Sequence, residues 1–158
     1  MSDEDTTLDI LLIRHGQTDW NKIGRWQGRT DNPLNETGLA QAHLLAKRLK
    51  TWPITTIYSS QMKRARKTAE VVAAVHNLPV NIEPLWQERD AGDFSGLTHA
   101  EIHERVGKSL GALDAPPNGE TMAQVLERGR TAYEKLLAAH DSGLIAVFCP
   151  SPPLAPTR

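Results

Sequence analysis

The chain has 158 residues, of which 39% are hydrophobic and 23% are charged, a composition ordinary for one soluble globular domain. Its formal net charge of -1 gives no reason to expect a nucleic acid or a membrane surface as partner. The single cysteine, Cys149, excludes an intrachain disulfide. No apolar run reaches the roughly 18 residues of a membrane span, and the acidic start at residues 1–5 is unlike a signal peptide. We therefore expect a cytoplasmic protein.

Apolar patterns predict strands and helices in alternation. Two short apolar runs, Leu8–Arg14 and Ile54–Tyr58, are typical of buried parallel strands. Asn35 predicts the N-cap of a helix between them, and Trp52-Pro53 ends that helix. The apolar face of this helix is predicted at Leu39, Ala42, Leu45, Ala46 and Leu49. The next helix, which ends near Asn77, has its apolar stripe at Met62, Ala65, Ala69, Val72 and Ala73.

Capping boxes predict two helices in the second half of the chain. Thr98 with Glu101 opens a short helix, and Thr121 with Gln124 opens a long one. The inward face of the long helix is predicted at Met122, Val125, Leu126, Ala132, Tyr133, Leu136 and Leu137. A last strand, Leu144–Phe148, follows. This alternation predicts an α/β fold with a mainly parallel sheet.

The last nine residues, 150–158, break the pattern, because they contain four of the ten prolines in the chain. Proline can neither donate a hydrogen bond to a sheet ladder nor continue a helix. We therefore expect a domain over residues 1–149, followed by a proline-rich, extended and mobile tail over residues 150–158.

The first chemical signal is the tripeptide Arg14-His15-Gly16 at the end of the first strand. Ligands of open α/β sheets bind outside the carboxyl ends of the strands. Arg14 offers a planar fork of donors that suits phosphate, and Gly16 lets the backbone pass close to a ligand. His15 can be a general base, a metal ligand or a nucleophile, or it can be structural. The tripeptide alone leaves these alternatives open.

Further motifs follow in order over about residues 8–148. They are Arg14 to Asn21 (RHGQTDWN), Gln27-Gly28, Asp31 to Gly38 (DNPLNETG), Gln41-Ala42, Tyr58 to Glu70 (YSSQMKRARKTAE), Glu88-Arg89 with Gly92 and Gly96, and Asn118 to Thr121 (NGET). Together they resemble the signature of the histidine phosphatase superfamily, branch one, whose members are phosphoglycerate mutase-like proteins. The resemblance implies a three-layer sandwich, a mainly parallel sheet flanked by helices, and neither a cofactor nor a metal.

The resemblance also implies a role for each site residue. His15 would be the nucleophile that takes up the phosphoryl group, and Arg14 and Arg64 would bind its oxygens as the other catalytic cations. Glu88 would be the catalytic acid that protonates the leaving oxygen. The substrate-binding residues would be Arg14, Asn21, Gln27, Gly28, Arg64 and Glu88.

Simpler interpretations exist for several of these residues. Without the resemblance, Arg64 belongs to a basic run that is typical of a solvated helix face, and Glu88 is typical of a surface salt bridge. His99 and His103 lie four residues apart, which superficially suggests metal ligands, but the order is not HExxH. Three tryptophans near the motifs either form a wall of the pocket or pack in the core: Trp20, Trp26 and Trp86.

The leading hypothesis is a metal-independent phosphomonoester phosphatase that acts through a phosphohistidine. Fixed guanidinium groups can stabilise the charge on a phosphoryl group in transfer without a metal. The expected partner is a small-molecule phosphate ester, and a homodimer is compatible with the sequence. A phosphoglycerate mutase would use the same phosphoenzyme. Mutases of this family, however, usually carry a long insertion between the acid and the Gly-Glu-Ser region. In this chain only 31 residues separate Glu88 from Glu120, which favours the phosphatase.

The chain departs from the family after its last predicted strand. Family members carry a second histidine there, typically in a hydrophobic-Ser-His-Gly context, whereas Phe148 is followed by Cys149-Pro150. Removing one donor aimed at the transition state costs roughly 10²–10³-fold in rate. We therefore interpret the chain as a C-terminally truncated or altered member. A phosphoester-binding protein with impaired turnover is a further hypothesis.

Overall fold

A computed structural model describes residues 7–107 and 115–150 of the chain. Its strands are β1 (Leu8–Arg14), β2 (Ile54–Ser59), β3 (Val80–Ile82) and β4 (Gly143–Cys149). Its α-helices are α1 (Asp19–Lys22), α2 (Glu36–Leu49), α3 (Lys63–His76), α4 (His99–Val106) and α5 (Met122–Ala139). Two 3-10 turns, Pro84–Trp86 and Gly92–Phe94, lie between β3 and α4. None of the described helices has the length and apolarity needed to cross a bilayer.

The four strands form one parallel sheet in the order β1-β4-β2-β3. β4 lies between β1 and β2, with Arg14 opposite Cys149 on one side and Ser59 opposite Phe148 on the other. All carboxyl ends of the strands therefore meet at the same edge. The predicted α/β class with a mainly parallel sheet is confirmed.

Both faces of the sheet are covered by helices. Along β4, Ala146 and Phe148 face a core that α2 and α3 complete, whereas Ile145 and Val147 face a second core on the side of α5. This alternation follows from the period of two in a strand. The second core also contains Trp86, Ala132 and Leu136. The chain therefore has the three-layer sandwich that the resemblance implied.

The predicted helix starts are confirmed by their caps. The Asn35 side chain accepts a hydrogen bond from the Gly38 N–H at 2.9 Å and starts α2. The two predicted capping boxes are both formed, by Thr98 with Glu101 in α4 and by Thr121 with Gln124 in α5. Each cap satisfies N–H groups that have no partner inside the helix.

Some predicted details are wrong. Leu39, Met122, Leu126 and Leu137 were predicted to face inward, but they are 38%, 43%, 43% and 53% exposed. Each helical residue turns the side chain by about 100°, so Leu137 points away from the sheet that its neighbour Leu136 contacts. β2 and β4 each extend one residue beyond their predicted ends, and the short strand β3 was not predicted.

The predicted tail over residues 150–158 lies outside the described residues except for Pro150. That proline is fully buried next to the end of β4. Cys149, which was predicted to follow the last strand, is its final residue. The division between a domain over residues 1–149 and a tail stays a prediction.

Candidate active site

A cavity of about 350 Å³ opens at the edge where the strands end. The residues that line it are Arg14, His15, Asn21, Gly24, Arg25, Trp26, Gln27, Gly28, Glu88 and His99. A larger and more apolar cavity of about 530 Å³ lies between α2 and α3, and it contains none of these residues. The smaller cavity thus brings together every predicted site residue except Arg64.

His15 is held at the cavity by backbone contacts on both sides. Its N–H donates a hydrogen bond to the Cys149 carbonyl at 3.3 Å, which continues the pairing of β1 with β4. The next residue, Gly16, donates its N–H to the Thr68 hydroxyl of α3 at 3.2 Å. The Thr68 hydroxyl in turn donates to the Arg64 carbonyl at 2.8 Å. The position of His15 therefore depends on β4 and α3 together.

The imidazole of His15 has a defined tautomer. Its Nδ1 lies 2.5 Å from the Gly16 carbonyl oxygen, which can only accept a hydrogen bond. Nδ1 must therefore carry the proton, and in the neutral ring Nε2 keeps its lone pair. Burial, together with the charges of Arg64 and Arg14, outweighs the opposing Gly16 hydrogen bond and lowers the pKa of His15 to about 4. The ring is therefore neutral at pH 7.

The two predicted phosphate-binding arginines differ in their surroundings. Arg14, the last residue of β1, lines the cavity, and its guanidinium makes no hydrogen bond or ion pair with another described residue. Arg64 is fully buried on α3 and donates to the carbonyls of Thr30 at 2.8 Å and Gly28 at 2.9 Å. Arg14 is therefore available to an anion in the cavity, whereas Arg64 holds the loop that forms the cavity wall.

One nitrogen of the Arg64 guanidinium does not take part in holding this loop. Its Nε is buried without a hydrogen-bond partner among the described residues. Burial lowers the pKa of this guanidinium, while the nearby carboxylates of Glu88 and Asp31 oppose that shift. A buried donor of this kind is costly unless a ligand or solvent satisfies it. The two carbonyl bonds use only two of the five N–H groups of Arg64, and the buried Nε–H is one of those that remain for a phosphoryl group.

Asn21 and Gln27 are fixed by Thr18, which is fully buried. Thr18 forms a capping box with Asn21 at the start of α1. The Thr18 hydroxyl also lies 2.8 Å from the Gln27 Oε1, which accepts a further hydrogen bond from Asn32 at 3.3 Å. Both amide side chains thus use their oxygens within the protein. Their NH₂ groups remain the atoms suited to an anionic ligand.

Glu88 also lines the cavity, and it lies in a segment without helix or strand. Its Oε1 accepts a hydrogen bond from the Arg89 N–H at 2.8 Å. The Arg89 guanidinium lies over the ring of Trp26, 5.9 Å from its centroid, and Trp26 forms part of the wall. The carboxyl group that was predicted to be the acid therefore faces the same cavity as His15.

Arg25 lines the cavity but was not among the predicted site residues. Its guanidinium donates to the Gly96 carbonyl at 2.5 Å and pairs with Glu101 of α4 at 3.2 Å. The signal in the sequence that could have identified it is its position between Asn21 and Gln27, which were both predicted to bind substrate. His99, the first residue of α4, also lines the cavity. No group of three or more His, Cys, Asp or Glu residues in the described ranges is placed to hold a metal ion.

The three tryptophans have three different surroundings. Trp26 lines the cavity, as one of the two interpretations proposed. Trp86 is 1% exposed and packs edge-on against Tyr133, with ring centroids 5.0 Å apart, so it belongs to the core. Trp20 lies against Gly96, and a Cβ added to Gly96 would lie 3.1 Å from the Trp20 ring. The lone thiol of Cys149 is buried, and burial with the nearby charge of Glu88 raises its pKa to about 12.

Comparison with known proteins identifies the family of the chain. The model of the histidine phosphatase superfamily (branch 1) matches residues 10–151. The chain belongs to this superfamily. It is 36% identical over 153 residues to the metal-independent phosphoserine phosphatase of Arabidopsis thaliana, and the aligned region covers 91% of this chain and 64% of the relative. It is 38% identical over 137 residues to the "Probable phosphoglycerate mutase GpmB" of Photorhabdus laumondii, which covers 80% of this chain and 62% of the relative.

A solved structure supports the same assignment. The mycobacterial glucosyl-3-phosphoglycerate phosphatase in complex with VO3 is 29% identical, with a TM-score of 0.80, over 90% of this chain and 75% of the other. The chain thus spans somewhat less than two thirds of the length of the two curated relatives it matches, and three quarters of this structure. The family, predicted from the motifs, and the fold class, predicted from the alternation of strands and helices, are both confirmed.

Proposed function

We propose that the chain is a metal-independent phosphomonoester phosphatase that acts through a phosphohistidine on His15. The observation that carries this proposal is the tautomer of His15. A neutral imidazole with its proton fixed on Nδ1 offers the Nε2 lone pair inside a cavity that also contains an uncommitted arginine and a carboxyl group. Nucleophile, cation and acid are the three groups that phosphoryl transfer to a side chain requires.

In the first step, Nε2 of His15 attacks phosphorus in line, and a P–N bond forms as the P–O bond to the leaving group breaks. The electron pair of that bond goes to the leaving oxygen, which receives the proton of the Glu88 carboxyl group. Arg14 and the Nε of Arg64 stabilise the charge on the equatorial oxygens. The products of this step are an alcohol and the phosphohistidine.

In the second step, water attacks the phosphohistidine. The Glu88 carboxylate takes a proton from the water as its oxygen bonds to phosphorus, and the P–N bond breaks. The electron pair returns to Nε2, which restores the neutral imidazole and releases inorganic phosphate. Glu88 thus alternates between acid and base, as a single carboxyl group on one side of the phosphoryl group can do.

The substrate class follows from the shared chemistry of the named relatives. Phosphoserine and glucosyl-3-phosphoglycerate are both phosphate monoesters of small molecules, and we extend only that class to this chain. A phosphoglycerate mutase would carry out the first step and return the phosphoryl group to a substrate. The short segment between Glu88 and Glu120 favours the phosphatase. The cytoplasmic location and the homodimer stay predictions.

One observation favours a second candidate, a phosphoester-binding protein with impaired turnover. The second family histidine would follow β4, and the residue there is the buried Pro150, which has no side-chain donor. The preceding carbonyl, of Cys149, accepts the His15 N–H, so this position lies beside the nucleophile. An imidazole donor is therefore missing from the place where the phosphoryl oxygens would be.

Phosphoenzyme trapping tests both candidates. The protein is mixed with p-nitrophenyl phosphate, quenched in base, and searched by mass spectrometry for a phosphorylated histidine. The phosphatase gives steady release of inorganic phosphate and a label on His15, and His15→Gln loses both. The matched control is His43→Gln, which changes an exposed histidine of α2 and should keep both. A trapped label without steady release indicates the impaired protein, and full turnover in His15→Gln contradicts the proposal.

A further inference from the structure

A side chain on α5 binds the segment that carries Glu88. Arg128 donates Nη1 to the carbonyls of Leu85 at 2.8 Å and Gln87 at 2.9 Å. Its Nε and Nη2 each lie 2.9 Å from one carboxylate oxygen of Glu120. All three nitrogens of the guanidinium are therefore used, in a bidentate ion pair and two carbonyl bonds. Both side chains of the pair are nearly buried, with 11% and 10% exposed.

Glu120 extends this contact to the residues that follow Glu88. Its N–H donates to the Asp90 carbonyl at 3.0 Å, and its own carbonyl accepts from the Arg89 Nε at 2.9 Å. Burial alone would raise the pKa of the Glu120 carboxyl group, but the hydrogen bond and charge of Arg128 reverse that effect, and the net pKa is lowered. Glu120 is therefore ionised, as a bidentate partner of an arginine should be.

Glu88 thus lies between two held ends of its segment. Arg128 fixes residues 85 and 87 on one side, and Glu120 fixes residues 89 and 90 on the other. Residues 87–91 have no helix or strand of their own, so no backbone ladder sets their position. A displacement of about 1 Å in a reacting group can cost on the order of 10²-fold in rate. The position of the acid therefore depends on these side-chain bonds.

We infer that Arg128 is a positioning residue, which acts through Glu120 and the backbone to hold the Glu88 carboxyl group at the leaving oxygen. This inference rests on the proposed function, because it assumes that Glu88 is the proton donor. A purely stabilising ion pair would affect all substrates alike. A positioning residue affects most strongly the substrates whose leaving group needs the proton.

The test is the leaving-group dependence of Arg128→Met. We expect kcat for an alkyl phosphate to fall about tenfold more than kcat for p-nitrophenyl phosphate, since a phenolate leaves without full protonation. KM should change by less than about twofold, because Arg128 does not line the cavity. Combined with Glu88→Gln, Arg128→Met should add little further loss on the alkyl ester, because residues that act as a unit are not additive.

The chain offers a matched control on the same helix. Arg130 also pairs with two carboxylates, of Glu127 and Glu134, but it lies on the exposed face of α5. Arg130→Met should leave both substrates unchanged. If Arg128→Met does not fold, Arg128→Lys keeps the charge without the four-bond geometry and should show the same preference for aryl esters.

The outcomes separate the inference from the proposed function. Equal losses on both substrates in Arg128→Met, with the preference present in Glu88→Gln, overturn the positioning role alone. The positioning role alone is also overturned if the rate losses of Glu88→Gln and Arg128→Met multiply in the double variant. If Glu88→Gln itself shows no preference, or the unchanged chain has no turnover, the proposed function fails and the inference fails with it.

Discussion

Gly16 and Gly38 lie in backbone contact where the end of β1 meets the first turn of α2. A Cβ added to Gly16 would lie 2.9 Å from the carbonyl carbon of Gly38, closer than real Cβ atoms approach such an atom. A Cβ on Gly38 would in turn lie 2.7 Å from the Gln17 backbone nitrogen. The two glycines therefore let α2 approach the residue that follows His15.

This contact predicts that Gly38→Ala lowers both stability and activity. The added methyl group must push α2 away from the Gln17 backbone, and overpacking of this kind costs about 1–3 kcal/mol. The shift also moves His15, so kcat should fall with it. Thermal unfolding and phosphatase rates measure the two effects. Ala40→Ser, which adds one heavy atom on the exposed face of α2, should change neither.

The lowered pKa of His15 predicts how stability depends on pH. Because the folded pKa of about 4 lies below the ordinary value of 6.5, the unfolded chain binds more protons between these pH values. Unfolding free energy should therefore fall as pH falls from 6.5 to 4, by on the order of 3 kcal/mol from this group. In His15→Gln, the unfolding free energy measured with denaturant should fall by correspondingly less between pH 6.5 and 4. An equal slope in both proteins would contradict the lowered pKa.

Glu88→Gln should slow alkyl phosphates more than aryl phosphates. Its amide cannot protonate the leaving oxygen, and general acid catalysis typically contributes about 10²–10⁴-fold. A phenolate leaves with little protonation, so most of this loss should appear only with the alkyl ester. Steady-state kinetics on one ester of each kind give the ratio of losses. A ratio near one would remove Glu88 from the acid role.

Chelators should leave the rate unchanged. In the proposed mechanism, Arg14 and Arg64 supply the positive charge that a divalent ion supplies in other phosphoryl transfer sites. The measurement is phosphatase activity after dialysis against EDTA, with and without added Mg²⁺, Mn²⁺ or Zn²⁺. Activity that disappears in EDTA and returns with one of these ions would refute the metal-independent mechanism.

Pro150→His, combined with Cys149→Ser, should raise the rate. The position follows the carbonyl that accepts the His15 N–H, so an imidazole there would lie next to His15, the proposed nucleophile. One added donor to the transition state is worth roughly 10²–10³-fold. The control is Pro150→Ala with the same Cys149→Ser change, which removes the proline ring without adding a donor. If the histidine variant is no faster than this control, the missing histidine does not limit turnover.

The parts of the fold that could be predicted are those with local signals. Asn35 and the two capping boxes specify helix starts within four residues of sequence, and the structure confirms them. The end of the first strand pointed to Arg14 and His15, because ligands bind at the carboxyl ends of parallel strands. The other predicted residues that line the cavity came from the resemblance to the superfamily: Asn21, Gln27, Gly28 and Glu88.

What could not be predicted depends on contacts between distant segments. Arg64 and Arg66 lie in one basic run, yet Arg64 is fully buried while the Arg66 side chain is 59% exposed. The basic run itself does not show which of the two is buried, because that depends on the packing of α3 against the loop at residues 28–30. Arg128 lies 43 residues from the carbonyl of Leu85 that it binds, and nothing in its neighbourhood in sequence indicates that contact.

The place of β4 in the sheet has a consequence for how the protein folds. β1 and β2 do not pair with each other, and the described sheet joins them only through residues 143–149. Cys149 contacts Ile13 across 136 residues of sequence, so closing the sheet requires one of the longest loops in the described chain. Contacts of such long range slow folding. During synthesis, β1 and the adjoining His15 would therefore stay without a neighbouring strand until β4 has left the ribosome.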